Sequence, residues 1–270
     1  MTAVLGIDLA SARWSYNGSA LLHFQAESGA FTRVVPGAIT WPASDTPLTP
    51  LTPQALADAV HAFAVGEGVR AVALDGPHAW RNPETPSDLP GVGRRGEFAC
   101  RTQGKTGVYP QAYPSTQFGW IDFCVRVFDA LLAQPGVRLA EAPVAAAAIN
   151  EAGGPGAVHG YVVLETFPTA TWRASGLLPL PAKAKRPDVQ RYYDELAAAY
   201  ALPPVPVSGH DDLQAIVAAL AGVGAIGGPV VARRHGDACW MAEHADGLRR
   251  VEGFIWDAMP RRSASAAGRA

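Results

Sequence analysis

"RAVALDGPHAW" (Arg70–Trp80) decides how this chain is read. An apolar run bounded by Gly and Pro is a strand covered on both faces, yet this one stops on an acid, Asp75. The first strand, "AVLGIDLAS", does the same at Asp8, and "YVVLETFP" does it at Glu165. A carboxylate is costly to desolvate, so strands that end in a core seldom finish on one. Three acids in equivalent places predict that this edge of the sheet is paired with positive charge.

Working outward, "TAVLGIDLA", "GSALLHFQAES" and "AFTRVVPGAITW" read as three successive strands turning at "SGA",. A Pro/Thr-rich link, "PASDTPLTPLTP", follows. "PQALADAVHAFAVGEG" then opens on Pro and closes on Gly, as a helix does,. After the strand ending at Asp75, residues 78–115 lose all periodicity, and a loop that long in a compact domain is usually functional. "TQFGWIDFCVRVFDALLAQPG", "RPDVQRYYDELAAAYAL" and "HDDLQAIVAALAGVGA" are helical. "VEGFIWDAMP" is a small closing strand, and 261–270 is a disordered tail,. Residues 226–250 receive no assigned element. The expected architecture is one α/β domain over 1–260: three antiparallel strands, then parallel strands, flanked by helices. The first strand lies beside the one ending at Asp75, with the strand of Glu165 next. Asp8, Asp75 and Glu165 then share the edge where open α/β sheets bind ligands.

Composition narrows the function. At 270 residues and 49% hydrophobic, the chain can bury a sizeable core, and no apolar run is long enough to span a bilayer,. The N-terminus enters a strand directly, without a signal-peptide pattern. Cys100, Cys124 and Cys239 have neither disulfide-framework nor zinc spacing,. These features lead to the expectation of a cytoplasmic protein that does not bind membranes. A net charge of −2 excludes a globally basic nucleic-acid binder and leaves a local basic surface as the alternative,.

Clustered carboxylates take up protons unless a cation neutralises them. Mg²⁺ or Mn²⁺, which prefer oxygen ligands, are the expected cofactors. Two such ions can clamp both oxygens of a phosphodiester displacement. Asp211 and Asp212 open a helix and are further candidate ligands, although acids there also complement the helix dipole. Asp75 before Gly-Pro also suits a plain turn. Arg94, Arg95, Arg101 and Lys105 in the long loop, with Lys183 and Lys185 in "PAKAKRPDVQR", are candidate phosphate contacts or simply solvated charge,. Trp120, Phe123, Tyr192 and Tyr193 fall in helical patterns and read as core. His210 is either a loop histidine or a proton carrier beside the acids. "GKT" lacks P-loop spacing.

"GID", "LDGP", "ETFP" and "DDLQAIVAAL" resemble the domain-of-unknown-function 429 family of predicted nucleases, from Asp8 to about Pro260. The resemblance implies an RNase H-like fold and a metal-dependent nuclease acting through Asp8, Asp75, Glu165 and Asp211 or Asp212, with DNA or RNA as partner. The loop "RRGEFACRTQGKTGVYP" is part of it. One departure stands out: where members carry Asp in the last helix, this chain has Gln214, a weaker oxygen ligand. That departure and the acidic net charge favour a degenerate, non-catalytic interaction domain as the alternative. A sugar- or acetate-kinase-like phosphotransferase also begins with a "GID" strand, but it needs a second glycine-rich phosphate motif, and none is found.

Overall fold

A computed structural model describes residues 1–42, 50–85, 93–102, 104–151, 160–244 and 247–261. The expected tail lies, from residue 262, outside the described residues. The chain folds as a mixed α/β structure. Strands β1 (Thr2–Asp8), β2 (Gly18–Phe24) and β3 (Phe31–Pro36) form an antiparallel meander. Helix α1 (Pro53–Gly66) then crosses to β4 (Val69–Asp75), which pairs parallel to β1. Thr52 caps α1 by accepting the Ala55 N–H, and Pro53 fills the first helical position, where an N–H has no partner to lose,.

In the long loop lies the short helix α2 (Arg95–Ala99), and the chain then leads to α3 (Phe118–Leu132). Next come β5 (Val137–Leu139), α4 (Ala148–Glu151), β6 (Tyr161–Thr166) and α5 (Pro168–Ala174). After α6 (Val189–Tyr200) and α7 (His210–Ala225), the chain adds β7 (Val230–His235), β8 (Cys239–His244), β9 (Gly247–Glu252) and β10 (Ile255–Pro260). The main sheet runs β3-β2-β1-β4-β6-β10-β7. β5 and β10 share one edge of β6: β5 pairs with its first residues and β10 with its last. β8 and β9 form a separate hairpin. Among the described residues, no helix is long and apolar enough to cross a membrane.

The order β1-β4-β6 is the expected one. Residues 226–250, for which the sequence pattern predicts no element, hold β7, β8 and most of β9, and the burial of β7 and β8 is broken by exposed Arg233, Arg234, Trp240, Met241 and Glu243. No clean period of two or 3.6 survives there.

Two apolar layers enclose the sheet. Leu5, Ile7, Val72, Leu74 and Val163 face α1 and α3, while Val4, Ala71, Ala73, Val162 and Leu164 face α7. From Leu213 onward α7 is buried on nearly every side, as befits a helix apolar all round. It lies so close to β1 that a Cβ on Gly6 would sit 1.9 Å from the Ala215 carbonyl oxygen. Only glycine fits there, and this contact seats α7 against β1 in the interior of the sheet.

Candidate functional site

Strand register decides which acids meet. Asp8 is opposite Asp75, and Asp75 is opposite Thr166, whereas Glu165 is level with Leu74. Side chains alternate along a strand, so a one-residue offset changes the face. Asp8 and Asp75 belong to the face covered by α7. Glu165 belongs to the face of Leu74 and Val163. The three strand-end acids are therefore not equivalent: two form a pair, and Thr166 stands where the third was expected.

Neighbouring strands lie about 4.8 Å apart, so two same-face carboxylates in register are within reach of one ion. Both are short of positive charge. Burial first, then the charges of Asp75, Asp211 and Asp212, push Asp8 well above the ordinary carboxylate range, against the pull of Lys183. Asp75 is pushed up to about 7 by burial and by Glu165, with Lys105 opposing.

Glu165 has the opposite surroundings. Burial opposes its ionisation, but Arg94 and His78 overcome this and hold it at about 2. The Arg94 guanidinium grips both Glu165 oxygens, one at 2.9 Å. The His78 backbone N–H and ring Nδ1 reach the same carboxylate at 2.9 and 2.6 Å. Arg94 also donates to the Glu252 carbonyl at 3.2 Å. Glu252 in turn accepts from Asn82 N, Thr85 Oγ1 and Arg95 N at 3.2, 2.8 and 3.0 Å. The long loop is thus latched to the sheet by buried ion pairs. Arg94, expected among the phosphate contacts, is fully buried and occupied by Glu165. Its guanidinium neutralises an internal acid and offers nothing to a solvent-borne phosphate.

The two acids of α7 also divide. Asp212 accepts the Ser19 N–H at 3.2 Å, tying the helix to β2. Burial raises its affinity for protons, and the Ser19 and Gly37 amides only partly offset this. Asp211 shares a recess with Asp8, Tyr16 and Lys183. Lys183 Nζ reaches it at 2.5 Å, and His210 Nδ1 lies 3.1 Å away. Although burial opposes ionisation, these partners hold Asp211 below its ordinary value. Gln214 accepts the Trp172 indole N–H at 3.1 Å, which spends its amide oxygen inside the fold.

Of the other basic candidates, Arg95 pairs with Asp237 at 2.9 Å in the open, and Lys185 is exposed in the one-turn helix at Lys183–Lys185. Arg101 and Lys105 line a cavity of about 350 Å³ beside Asp75, together with Thr166, Phe167, Trp120 and Arg173. Lys105 Nζ lies 5.5 Å from the Trp120 ring centre, and Trp120 anchors itself by donating to the Leu9 carbonyl at 3.0 Å. Thr166 and Arg173 are not among the candidates of the sequence, whereas Trp120, expected in the core, packs against it and lines the cavity as well. The signal lay in "ETFPTATWRA": Pro168 starts α5, which places Thr166 just before that helix and Arg173 in its last turn,.

Carboxylates are the right donors for a hard cation, and the Asp8–Asp75 pair fits one in kind and position. Among the described residues, no three His, Cys, Asp or Glu side chains converge closely enough to enclose an ion as they stand. Asp211, the next acid acting on Asp8, is drawn onto Lys183. No protein-family model, curated protein or solved structure matches this chain.

Proposed function

We propose that this protein is a metal-dependent nuclease with an RNase H-like fold that hydrolyses phosphodiester bonds at Asp8 and Asp75. The observation that carries the reading is the register pair of buried acids, both pushed toward protonation despite Lys183 and Lys105, beside a cavity rimmed with cations. The resemblance of "GID", "LDGP" and "ETFP" to predicted nucleases points the same way. Asp8 and Asp75 would hold Mg²⁺ or Mn²⁺, and Asp211 would join them on release from Lys183. When bound, the cation supplies charge neutralisation and Lewis acidity at a phosphoryl oxygen.

The chain's own residues do the rest. Asp75, pushed up to about 7, is only partly ionised at neutral pH, and positive charge gained by the site would favour release of its remaining proton,. Lys105, Arg101 and Arg173 draw the anionic backbone to the edge of the sheet. Glu165 and Asp212, named above as candidate ligands, act as positioning residues: Glu165 through Arg94 and His78, Asp212 through Ser19.

A non-catalytic scaffold is the second reading, favoured by the Lys183–Asp211 ion pair, in which a tethered ammonium takes the place of a bound ion. A cleavage panel over single-stranded, duplex, hybrid and branched DNA and RNA, with Mn²⁺ and an Asp8→Asn control, decides between them. Mn²⁺-dependent cleavage that the control lacks supports the nuclease. No cleavage and no Mn²⁺ binding leave the scaffold.

A further inference from the structure

The cavity beside Asp75 has two features that the fold does not account for. The first is a buried hydroxyl. Thr166 is 1% exposed and lines the cavity, and its Oγ1 has no hydrogen-bond partner. Leaving such a group unsatisfied costs free energy, so an orphan hydroxyl in a cavity wall calls for a polar ligand or water. Register places Thr166 level with Asp75, directly beside the acid pair.

The second feature is its charge. Three acids line the cavity: Asp75, Glu97 and Glu165. Two are already satisfied within the protein, Glu165 by Arg94 and His78, and Glu97 by Arg94 and Thr106. Arg101, Lys105 and Arg173 converge on the same space, and among the described residues none has a carboxylate partner. They come from separate segments that are locked together. Arg173 donates to the Arg101 carbonyl at 2.8 Å, and Arg101 is held in the left-handed region at φ 56°, a conformation that costs a non-glycine residue energy. Of the lining, Arg101 and Arg173 are exposed and Lys105 is half-buried, while Thr106, Thr166 and Ile255 are buried. Trp120 and Phe167 supply aromatic wall.

We infer that this cavity is a nucleotide subsite. It takes one unpaired, phosphate-bearing nucleotide, with the phosphate at Arg101, Lys105 and Arg173 and a polar group of the nucleoside at the Thr166 hydroxyl. Its volume lies at the lower end of the small-molecule range, enough for one nucleotide and too little for a stacked base pair. The inference rests on the nuclease reading in naming a strand as the source of the nucleotide. On that basis, single strands and frayed ends are preferred over continuous duplex.

Calorimetric titration of the full chain in chelator tests this without any cation or cleavage. Thymidine 5′-monophosphate should bind, and inorganic phosphate and thymidine should each bind at least tenfold more weakly. A charge-assisted contact is worth about tenfold or more in affinity, so Lys105→Gln and Arg173→Gln should each weaken the monophosphate by about that much. Thr166→Val keeps the shape, removes the hydroxyl and should weaken it about three- to tenfold. If Arg173→Gln loosens the loop, Lys105→Gln carries the test, because its ammonium lies over the Trp120 ring. A single-stranded oligothymidylate should compete, and a covalently closed duplex should not. No binding of the monophosphate, or equal affinity in all variants, overturns the subsite. Equal binding of phosphate and monophosphate overturns the place of the nucleoside, and an oligothymidylate that fails to compete overturns the strand. Nucleotide binding without cleavage in the Mn²⁺ panel defeats the nuclease reading alone. Cleavage with a KM untouched by Lys105→Gln defeats the subsite alone.

Discussion

Asp75 and Glu165 end neighbouring parallel strands, one residue apart in register, and their surroundings differ in kind. Asp75 sits beside Asp8 with too little positive charge, and its affinity for protons rises to about 7. Glu165 sits inside a cage of Arg94 and His78, and its affinity falls to about 2. One acid is buried beside a second carboxylate, with Lys105 only partly offsetting the cost of its charge. The other has its cation built in and uses it to fasten the long loop. A shift of one residue along a strand is enough to separate these roles, because it turns the side chain to the other face.

The comparison breaks most visibly at Glu165. Replacing it with Ala takes the bidentate partner from buried Arg94 and leaves it only Glu97 at 3.6 Å and the Glu252 carbonyl, which should cost about 3 kcal/mol and lower the melting temperature by roughly 10 °C for a chain of this size. Asp8→Asn and Asp75→Asn should instead melt no lower than wild type in chelator, since each relieves repulsion. Thermal denaturation of the three variants side by side checks this. If all three fall alike, Asp8 and Asp75 are structural partners just as Glu165 is.

Mn²⁺ should then sharpen the contrast. At about ten times the dissociation constant, wild type should gain about 1.4 kcal/mol. The Asp8 and Asp75 variants should gain nothing. Affinity for Mn²⁺ in wild type should climb as pH rises through about 7, because loading displaces the Asp75 proton,. A titration series from acid to mildly alkaline pH reads this directly.

Stability against pH in chelator gives a third test, with opposite signs for the two acids. Asp75 is raised from 3.8 to about 7, so its contribution is full below pH 3.8 and is lost as pH rises through 7,. Glu165 is lowered from 4.5 to about 2, so its contribution is full above 4.5 and is lost as pH falls through 2,. Asp75→Asn should flatten the decline toward neutral pH, and Glu165→Gln the one in acid. Unfolding by urea across this range separates the limbs.

The smallest effects belong to α7. Lys183→Met should free Asp211 and tighten Mn²⁺ binding several-fold, whereas Asp212→Asn should leave Mn²⁺ affinity within about twofold of wild type while weakening the tie to Ser19,. Gln214→Asp, which by resemblance alone would restore a ligand, should instead strand the Trp172 indole N–H and lower stability by about 1 kcal/mol without tightening the ion,. Calorimetry and melting of these variants rank the three positions.

Much of this was legible in local pattern. The apolar runs closed by Asp8, Asp75 and "ETFP", the Pro- and Gly-bounded helices and the largely apolar α7 determined the strand order β1-β4-β6 and the helices around it. These features depend on residues near one another in sequence, where period and turn chemistry are written directly. The fate of each acid was not written there. Register made Asp8 and Asp75 a pair and put Thr166 in the place expected for Glu165. Burial turned Arg94 from a loop cation into an internal one, and contacts across 28 residues gave Asp211 to Lys183. A side chain's ionisation follows the charges and solvent around it in space, and those are set by which segments the fold brings together.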